Sequence, residues 1–244
     1  MLILALDTSS AASAALVELP AGASPDDASA VRMHAARTVF GARRHAEVLA
    51  PFVDEIVDEA GLNGPPDAVA VGVGPGPYTG LRVGIASAFG YALGWDVPVH
   101  GVLSLDALAL QTAGRTGGGD DAGRDIVTAT DARRREVYWA RYAGTDPAQL
   151  PQRVAGPSVD RPADVADAFR HGDPIRAGKG FALYPEILGT PVSDLPELME
   201  PVAAAVGAVA LRRLAAGLTL PEPEPEYLRR PDAAAPGAPK RVLR

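Results

Sequence analysis

The chain has 244 residues, enough for one or two domains, and its hydrophobic content of 47% allows a sizeable core. It contains no cysteine, which excludes disulfides, thiolate catalysis and cysteine-ligated zinc, and its net charge of −7 argues against independent nucleic-acid binding. The N-terminus lacks the basic flank of a secretory signal and no apolar run is long enough to span a membrane, so we expect a cytoplasmic protein.

The first half of the chain has the pattern of an α/β domain. Three early apolar segments indicate strands in an antiparallel meander, and helices then alternate with further strands, which is typical of a mixed sheet. The predicted strands are 2–6, 12–19, 31–39, 68–73 and 97–102, and the predicted helices are 43–60, 80–95 and 104–113.

The second half indicates another lobe. Residues 114–125 are glycine-rich and predict a flexible loop, after which strands at 126–131 and 136–142 form a hairpin. A helix is predicted at 200–217, with Pro201 in its first turn and Gly217 at its end. We therefore predict an N-terminal lobe at 1–113, a C-terminal lobe at 126–220, and an extended or disordered Pro-rich tail at 221–244. Whether the 200–217 helix packs on the first lobe is left open.

The most informative segment is Gly74-Pro-Gly-Pro-Tyr-Thr-Gly80, between a strand and a helix. Glycine and proline together define one turn, and Thr79 is placed to cap the helix. The segment is not a P-loop, a dinucleotide fingerprint or a nucleophile elbow, because the required spacings are absent. Two interpretations remain: a turn without a ligand, or an anion site that includes Gly74, Gly76 and Thr79.

The residues available for catalysis are few. The four histidines make no metal-binding pair. Asp7, Thr8 and Ser9 follow the first strand, where sugar-kinase-like folds hold phosphate and magnesium, but the usual glycine is missing, and a simple turn that closes a hairpin is the alternative. The basic turn at 133–135 is either a solvated hairpin tip or a phosphate attractor.

The predicted helices 43–60 and 80–95 have more apolar surface than packing on one sheet requires. The second of them carries Leu81, Ile85, Phe89 and Leu93 in one row, and the adjacent row of Gly80, Gly84, Ala88 and Ala92 allows close approach of another helix. Either both helices simply cover their own sheet, or they also form a protein–protein surface, which we favour. The candidate interface residues are Leu49, Phe52, Val53, Ile56, Leu81, Gly84, Ile85, Ala88, Phe89 and Ala92.

Several motifs together resemble the TsaB (YeaZ) family, and the resemblance covers nearly the whole chain. The most specific match is the segment from Gly74 to Gly84, and Pro77 is its main departure, replacing a commoner serine. The other matching segments are 3–9, 44–47, 98–105, 131–133 with 136–138, 178–180 and 227–229.

This resemblance implies an actin-like ATPase (ASKHA, RNase H-like) fold with two lobes, each a mixed sheet flanked by helices. It implies a role in bacterial threonylcarbamoyladenosine synthesis on tRNA, as a non-catalytic partner of the transferase TsaD that supports recruitment of the ATPase TsaE. It also implies a homodimer when alone, contact with tRNA only through the complex, and no intrinsic cofactor, with ATP or ADP at the complex interface. TsaD binds a metal through a His-x-x-x-His pair, and Ser104 and Leu108 stand at the corresponding positions here.

Two other functions stay open at this point. One is a free-standing actin-like kinase for a small molecule, which requires magnesium-ATP binding by this chain alone. The other is a metallopeptidase, which the lack of a ligand cluster in the sequence disfavours.

Overall fold

The computed structural model describes residues 1–41, 45–116, 121, 123–144 and 149–229. Its first sheet has five strands in the spatial order β3-β2-β1-β4-β5, with β1 to β3 antiparallel and β4 and β5 parallel to β1. This confirms the predicted meander and mixed sheet. The strands are β1 (Leu2–Asp7), β2 (Ala12–Glu18), β3 (Arg32–Val39), β4 (Ala68–Gly72) and β5 (Val99–Val102).

Three helices belong to this half of the chain: α1 (His45–Ala60), α2 (Tyr78–Trp95) and α3 (Ser104–Thr116). The helices α1 and α2 cover one face of the first sheet, where their apolar side chains meet those of β1, β2 and β4 in one core cluster. The helix α3 continues to Thr116, so the predicted loop begins later than residue 114. Most of that loop lies outside the described residues.

The second sheet repeats the topology of the first with one strand fewer. Its order is β8-β7-β6-β9, with β6 to β8 antiparallel and β9 parallel to β6. The strands are β6 (Ile126–Asp131), β7 (Val137–Ala143), β8 (Gln152–Asp160) and β9 (Ile175–Ala177). The helix α4 (Pro162–Arg170) joins β8 to β9, as α1 joins β3 to β4. Short helices follow: α5 (Lys179–Leu183), α6 (Pro185–Leu188) and α7 (Pro196–Met199).

The last described helix, α8 (Ala203–Ala215), packs on β1 and β2 of the first sheet, on the face opposite α1 and α2. Gly207 allows this approach, because a Cβ there would lie 2.3 Å from Cγ2 of Val17. The C-terminal lobe therefore does not extend to residue 220 in space, and α8 completes the first core. With α3, which packs on both α8 and the second sheet, it forms the layer between the two sheets.

The beginning of the tail is ordered, extended chain. The amide of Gly101 donates to the carbonyl of Pro221 at 2.9 Å, and that of Glu226 donates to Val73 at 2.8 Å. Arg229 Nη1 then donates to the carbonyl of Ala132, in the second sheet's hairpin, at 3.0 Å. Residues 221–229 thus connect both lobes, and residues 230–244 lie outside the described chain. No described helix is long and apolar enough to cross a bilayer.

Candidate functional site

The turn after β1 is buried and satisfied from within the chain. Asp7 and Thr8 are fully buried, and Ser9 nearly so. One carboxylate oxygen of Asp7 accepts from the amide and the hydroxyl of Ser9, at 2.8 and 2.7 Å, and the other accepts from the hydroxyl of Ser104 at 2.7 Å. The hydroxyl of Thr8 donates to the carbonyl of Gly80 at 2.7 Å. This turn therefore joins β1 to the starts of both α2 and α3.

Glycines provide the space for this turn. A Cβ on Gly72 would lie 1.8 Å from Oδ2 of Asp7, and one on Gly84 would lie 2.2 Å from Oγ1 of Thr8. Both distances are far inside van der Waals contact, so neither position accepts a side chain without movement of the turn. Part of the glycine-rich pattern is thus explained by internal packing around Asp7 and Thr8.

The segment 74–80 is held in the same way. Gly76 lies against the backbone of Ser9, where a Cβ would come within 2.5 Å of the carbonyl oxygen, and Gly74 exchanges hydrogen bonds with Ser104. The predicted cap is wrong: α2 begins at Tyr78, its N-cap is Pro77 with no side-chain hydrogen bond, and Thr79 is an exposed residue inside the first turn. The helix begins earlier than the sequence predicts.

The start of α3 carries the two positions that the family resemblance singled out. Ser104 is the first residue of α3 and bonds to Asp7 and Gly74, as described above. Leu108, one turn later, is fully buried, and its Cδ2 atom faces Gly178. Neither side chain offers an imidazole, and among the described residues no three histidines or carboxylates form a group that could hold a metal ion.

The face chosen for a partner surface is mostly internal. Eight of the ten candidate residues are buried inside the first lobe, on the sides of α1 and α2 that face the sheet and the turn after β1: Leu49, Val53, Ile56, Leu81, Gly84, Ile85, Ala88 and Ala92. Phe52 is half-buried, and Phe89 alone of the ten is exposed, by 48%. The outer surface of α1 is acidic rather than apolar, with Asp54, Glu55 and Asp58 exposed on it. The prediction of two apolar outer faces is therefore wrong for α1.

On α2 the outward apolar residues are Phe89 and Leu93, while Leu81 and Ile85 of the same predicted row are buried. Leu93 is 86% exposed and lies one turn after Phe89. Beside them Ala86, Gly90 and Gly94 are exposed at four-residue spacing, and a Cβ on either glycine would meet no atom within 4 Å. We call these five residues the outer α2 face. The sequence signal for this face is the second row of small residues, parallel to the buried row of Gly84, Ala88 and Ala92.

Between the two lobes a charged cluster surrounds Asp106 of α3. Its Oδ1 accepts from the hydroxyl of Tyr142 at 2.8 Å and from Nη1 of Arg153 at 2.9 Å, and Nη2 of Arg213 lies 3.7 Å from Oδ2. Burial raises the pKa of Asp106, and the two arginines and Tyr142 oppose the rise. Burial, with the adjacent Asp106 charge, raises the pKa of Tyr142 well above its ordinary value. The cluster links α3, α8 and the second sheet and was not predicted.

Known proteins show which family has this architecture. Residues 39–236 match the family model TsaD, tRNA N6-adenosine threonylcarbamoyltransferase. The chain is 32% identical over 195 residues to the tRNA threonylcarbamoyladenosine biosynthesis protein TsaB of Escherichia coli, which covers 77% of this chain and 81% of that protein. The structure of YeaZ from Pseudomonas aeruginosa superposes with a TM-score of 0.71 at 32% identity, covering 93% of this chain and 99% of the other. The chain belongs to the TsaB (YeaZ) family.

A relative in Mycobacterium leprae is 38% identical over 237 residues, which are 95% of this chain, and the chain spans 56% of that protein's length. The two mixed sheets flanked by helices and the superposition on YeaZ confirm the predicted α/β fold class. The family assignment also confirms the predicted involvement in threonylcarbamoyladenosine biosynthesis on tRNA.

Proposed function

We propose that this TsaB-family protein is a non-catalytic, cytoplasmic subunit that activates a TsaD-type threonylcarbamoyltransferase by binding it through the outer α2 face. The carrying observation is that face itself: Leu93 and Phe89 are exposed beside Ala86, Gly90 and Gly94. Small residues at four-residue spacing let a second helix approach closely, and an exposed apolar patch marks an interaction site. In the absence of the TsaD-type partner, the same face would pair two copies of this chain.

The buried turn supports the non-catalytic part of the proposal. The side chains of Asp7, Thr8 and Ser9 form hydrogen bonds within the chain, and all three residues are buried from solvent. Ser104 and Leu108, where TsaD has its metal-binding histidines, are committed to the turn and to the core. We therefore propose that the transferase chemistry resides in the partner, and that turnover with ATP or ADP, the TsaE-type ATPase and the tRNA requires the assembled complex.

The test is co-purification with the TsaD-type paralogue of the same organism, followed by a transferase assay with and without this chain. We expect no activity from this chain alone and activation on mixing. Leu93→Asp places a charge in the proposed interface and should abolish co-purification and activation, while thermal stability stays unchanged because the side chain is already solvated.

Val154→Asp is the matched control, since Val154 is a 55% exposed apolar residue on β8, in the other lobe. It should activate normally. Normal activation by Leu93→Asp would contradict the placement of the interface, and transferase activity of this chain alone would contradict the non-catalytic role. The kinase alternative requires magnesium-dependent binding of ATP by the isolated chain, which calorimetric titrations with and without magnesium measure directly.

A further inference from the structure

A second surface, on the opposite end of α2 from Leu93, remains unexplained by partner binding. Where the tail crosses to the second sheet, a cavity of about 400 Å³ opens between the start of α2, the β6–β7 hairpin and residues 226–229. Its lining includes Tyr78, Tyr138 and Tyr227 together with Arg133, Arg134 and Arg229. It thus combines three aromatic rings and three guanidinium groups contributed by three separate parts of the fold.

The aromatic side of this cavity is a preformed stack. The rings of Tyr78 and Tyr227 lie 4.7 Å apart with an interplanar angle of 24°. Arg82 secures the pair, because its guanidinium lies 3.9 Å from the centre of the Tyr78 ring and its Nε donates to the hydroxyl of Tyr227 at 3.1 Å. Both rings are also substantially solvent-exposed. An exposed tyrosine pair of this kind offers a ring face to a further planar group.

The basic side comes from the hairpin tip. Arg133, Arg134 and Arg135 all have left-handed backbone conformations, with φ of 60°, 52° and 61°. Non-glycine residues seldom adopt this conformation, and three in succession are unusual. All three side chains are exposed at the tip, but only the first two line the cavity. The lining also has two carboxylates, Asp131 and Glu226, and Asp131 is paired with Arg133 at 3.1 Å.

We propose that this cavity binds a nucleoside phosphate, with the base stacked on Tyr227 and the phosphate beside Arg133 and Arg134. Base stacking on aromatic rings next to arginines is the general chemistry of single-strand recognition. The ligand is either a free nucleotide or one nucleotide of an RNA strand. The second source rests on the proposed function, since a subunit of a tRNA-modifying complex works beside RNA. Arg229 is itself paired with Glu136, so the exposed arginines of the hairpin tip supply the local positive charge in a chain whose net charge is −7.

The test measures binding of the isolated full chain to a fluorescein-labelled single-stranded RNA of about ten nucleotides, by fluorescence anisotropy over a range of salt concentrations. Tyr227→Ala should weaken binding by about fivefold or more, because one stacked base is lost. Arg134→Asn should reduce the slope of log affinity against log salt by about 0.7, the value for one phosphate contact on a single strand. Asparagine tolerates the left-handed backbone, so the hairpin should keep its shape.

Arg135→Asn is the matched control, because it removes the same charge from the same turn outside the cavity lining. It should bind as the native chain does. Equal effects of Arg134→Asn and Arg135→Asn would overturn the proposal, since the tip would then act as a diffuse charge. Absence of RNA and AMP binding by the native chain would overturn it as well.

Competition by AMP and by inorganic phosphate identifies the ligand. If AMP displaces the RNA and phosphate at the same concentration does not, base recognition is supported and a free nucleotide suffices. If the RNA binds and AMP fails to compete, the strand is the ligand. Equal competition by phosphate and AMP would refute base stacking. None of these measurements involves the paralogue, so failure here leaves the activation assay unaffected, and the reverse also holds.

Discussion

The interpretation of the Asp7 turn as internal structure leads to a quantitative prediction for Ser104→Ala. The substitution removes the hydroxyl that donates to Oδ2 of the fully buried Asp7 at 2.7 Å and that accepts from the amide of Gly74 at 3.2 Å. A hydrogen bond to a charged group is worth about 1.5–3 kcal/mol. For a protein of this size, each kcal/mol corresponds to about 2–4 °C, so we expect the melting temperature to fall by roughly 3–12 °C.

Thermal and urea unfolding of the isolated chain, followed by circular dichroism, measure this change. Ser87→Ala is the matched control, because Ser87 is a half-buried serine on α2 away from the turn, and its effect should stay within about 0.5 kcal/mol. If the two variants unfold at the same temperature, the hydroxyl does not support the carboxylate. The turn would then need another explanation, such as a ligand that Asp7 serves, and the kinase alternative would regain support.

Two further changes probe the contacts that join the lobes. Arg153→Gln should lower the free energy of unfolding more at pH 7 than near pH 4. Burial already raises the pKa of Asp106, and loss of an opposing cation raises it further, so the loss of stability should shrink as the carboxyl of the folded protein takes up its proton. A loss of stability in urea unfolding that does not change with pH would contradict this. Gly101→Ala should displace residues 221–229, because its Cβ would lie 2.6 Å from the carbonyl oxygen of Glu222. Limited proteolysis should then cleave this segment faster than it does in the control Gly94→Ala, whose Cβ meets open space. Equal cleavage rates in the two variants would refute the effect.

Local chemistry made most of the secondary structure predictable. The strands β1, β2, β4 and β6 are short apolar runs bounded by turn residues, and the structure places them within one or two residues of the predicted bounds. Features that depend on contacts between distant residues were harder to predict from the sequence. The packing of α8 on β1 depends on Gly207 meeting Val17, two residues that lie far apart in the chain. The repeat of the first sheet's topology in the second sheet left no recognisable repeat in the sequence.

The outer α2 face shows why an apolar pattern alone does not tell which side of a helix faces solvent. The helix α2 is rich in apolar and small residues on every side, so two rows of small residues compete for the inward position. The row with Gly84 faces inward because the Thr8 hydroxyl leaves no room for a Cβ, which only the folded turn reveals. For α1, by contrast, Asp54, Glu55 and Asp58 were a readable signal of an acidic outer surface.

The glycine-rich motif likewise depends on contacts that its sequence does not reveal. Gly72, Gly76 and Gly84 each face one residue of the sequence Asp7-Thr8-Ser9, so the motif and the turn form one packing unit. Residues that resemble a phosphate site in the sequence can therefore serve to fix the starts of α2 and α3. The two surfaces of α2 that we propose for recognition lie outside this unit: the exposed apolar side around Leu93, and the first residue, Tyr78, which stacks on Tyr227.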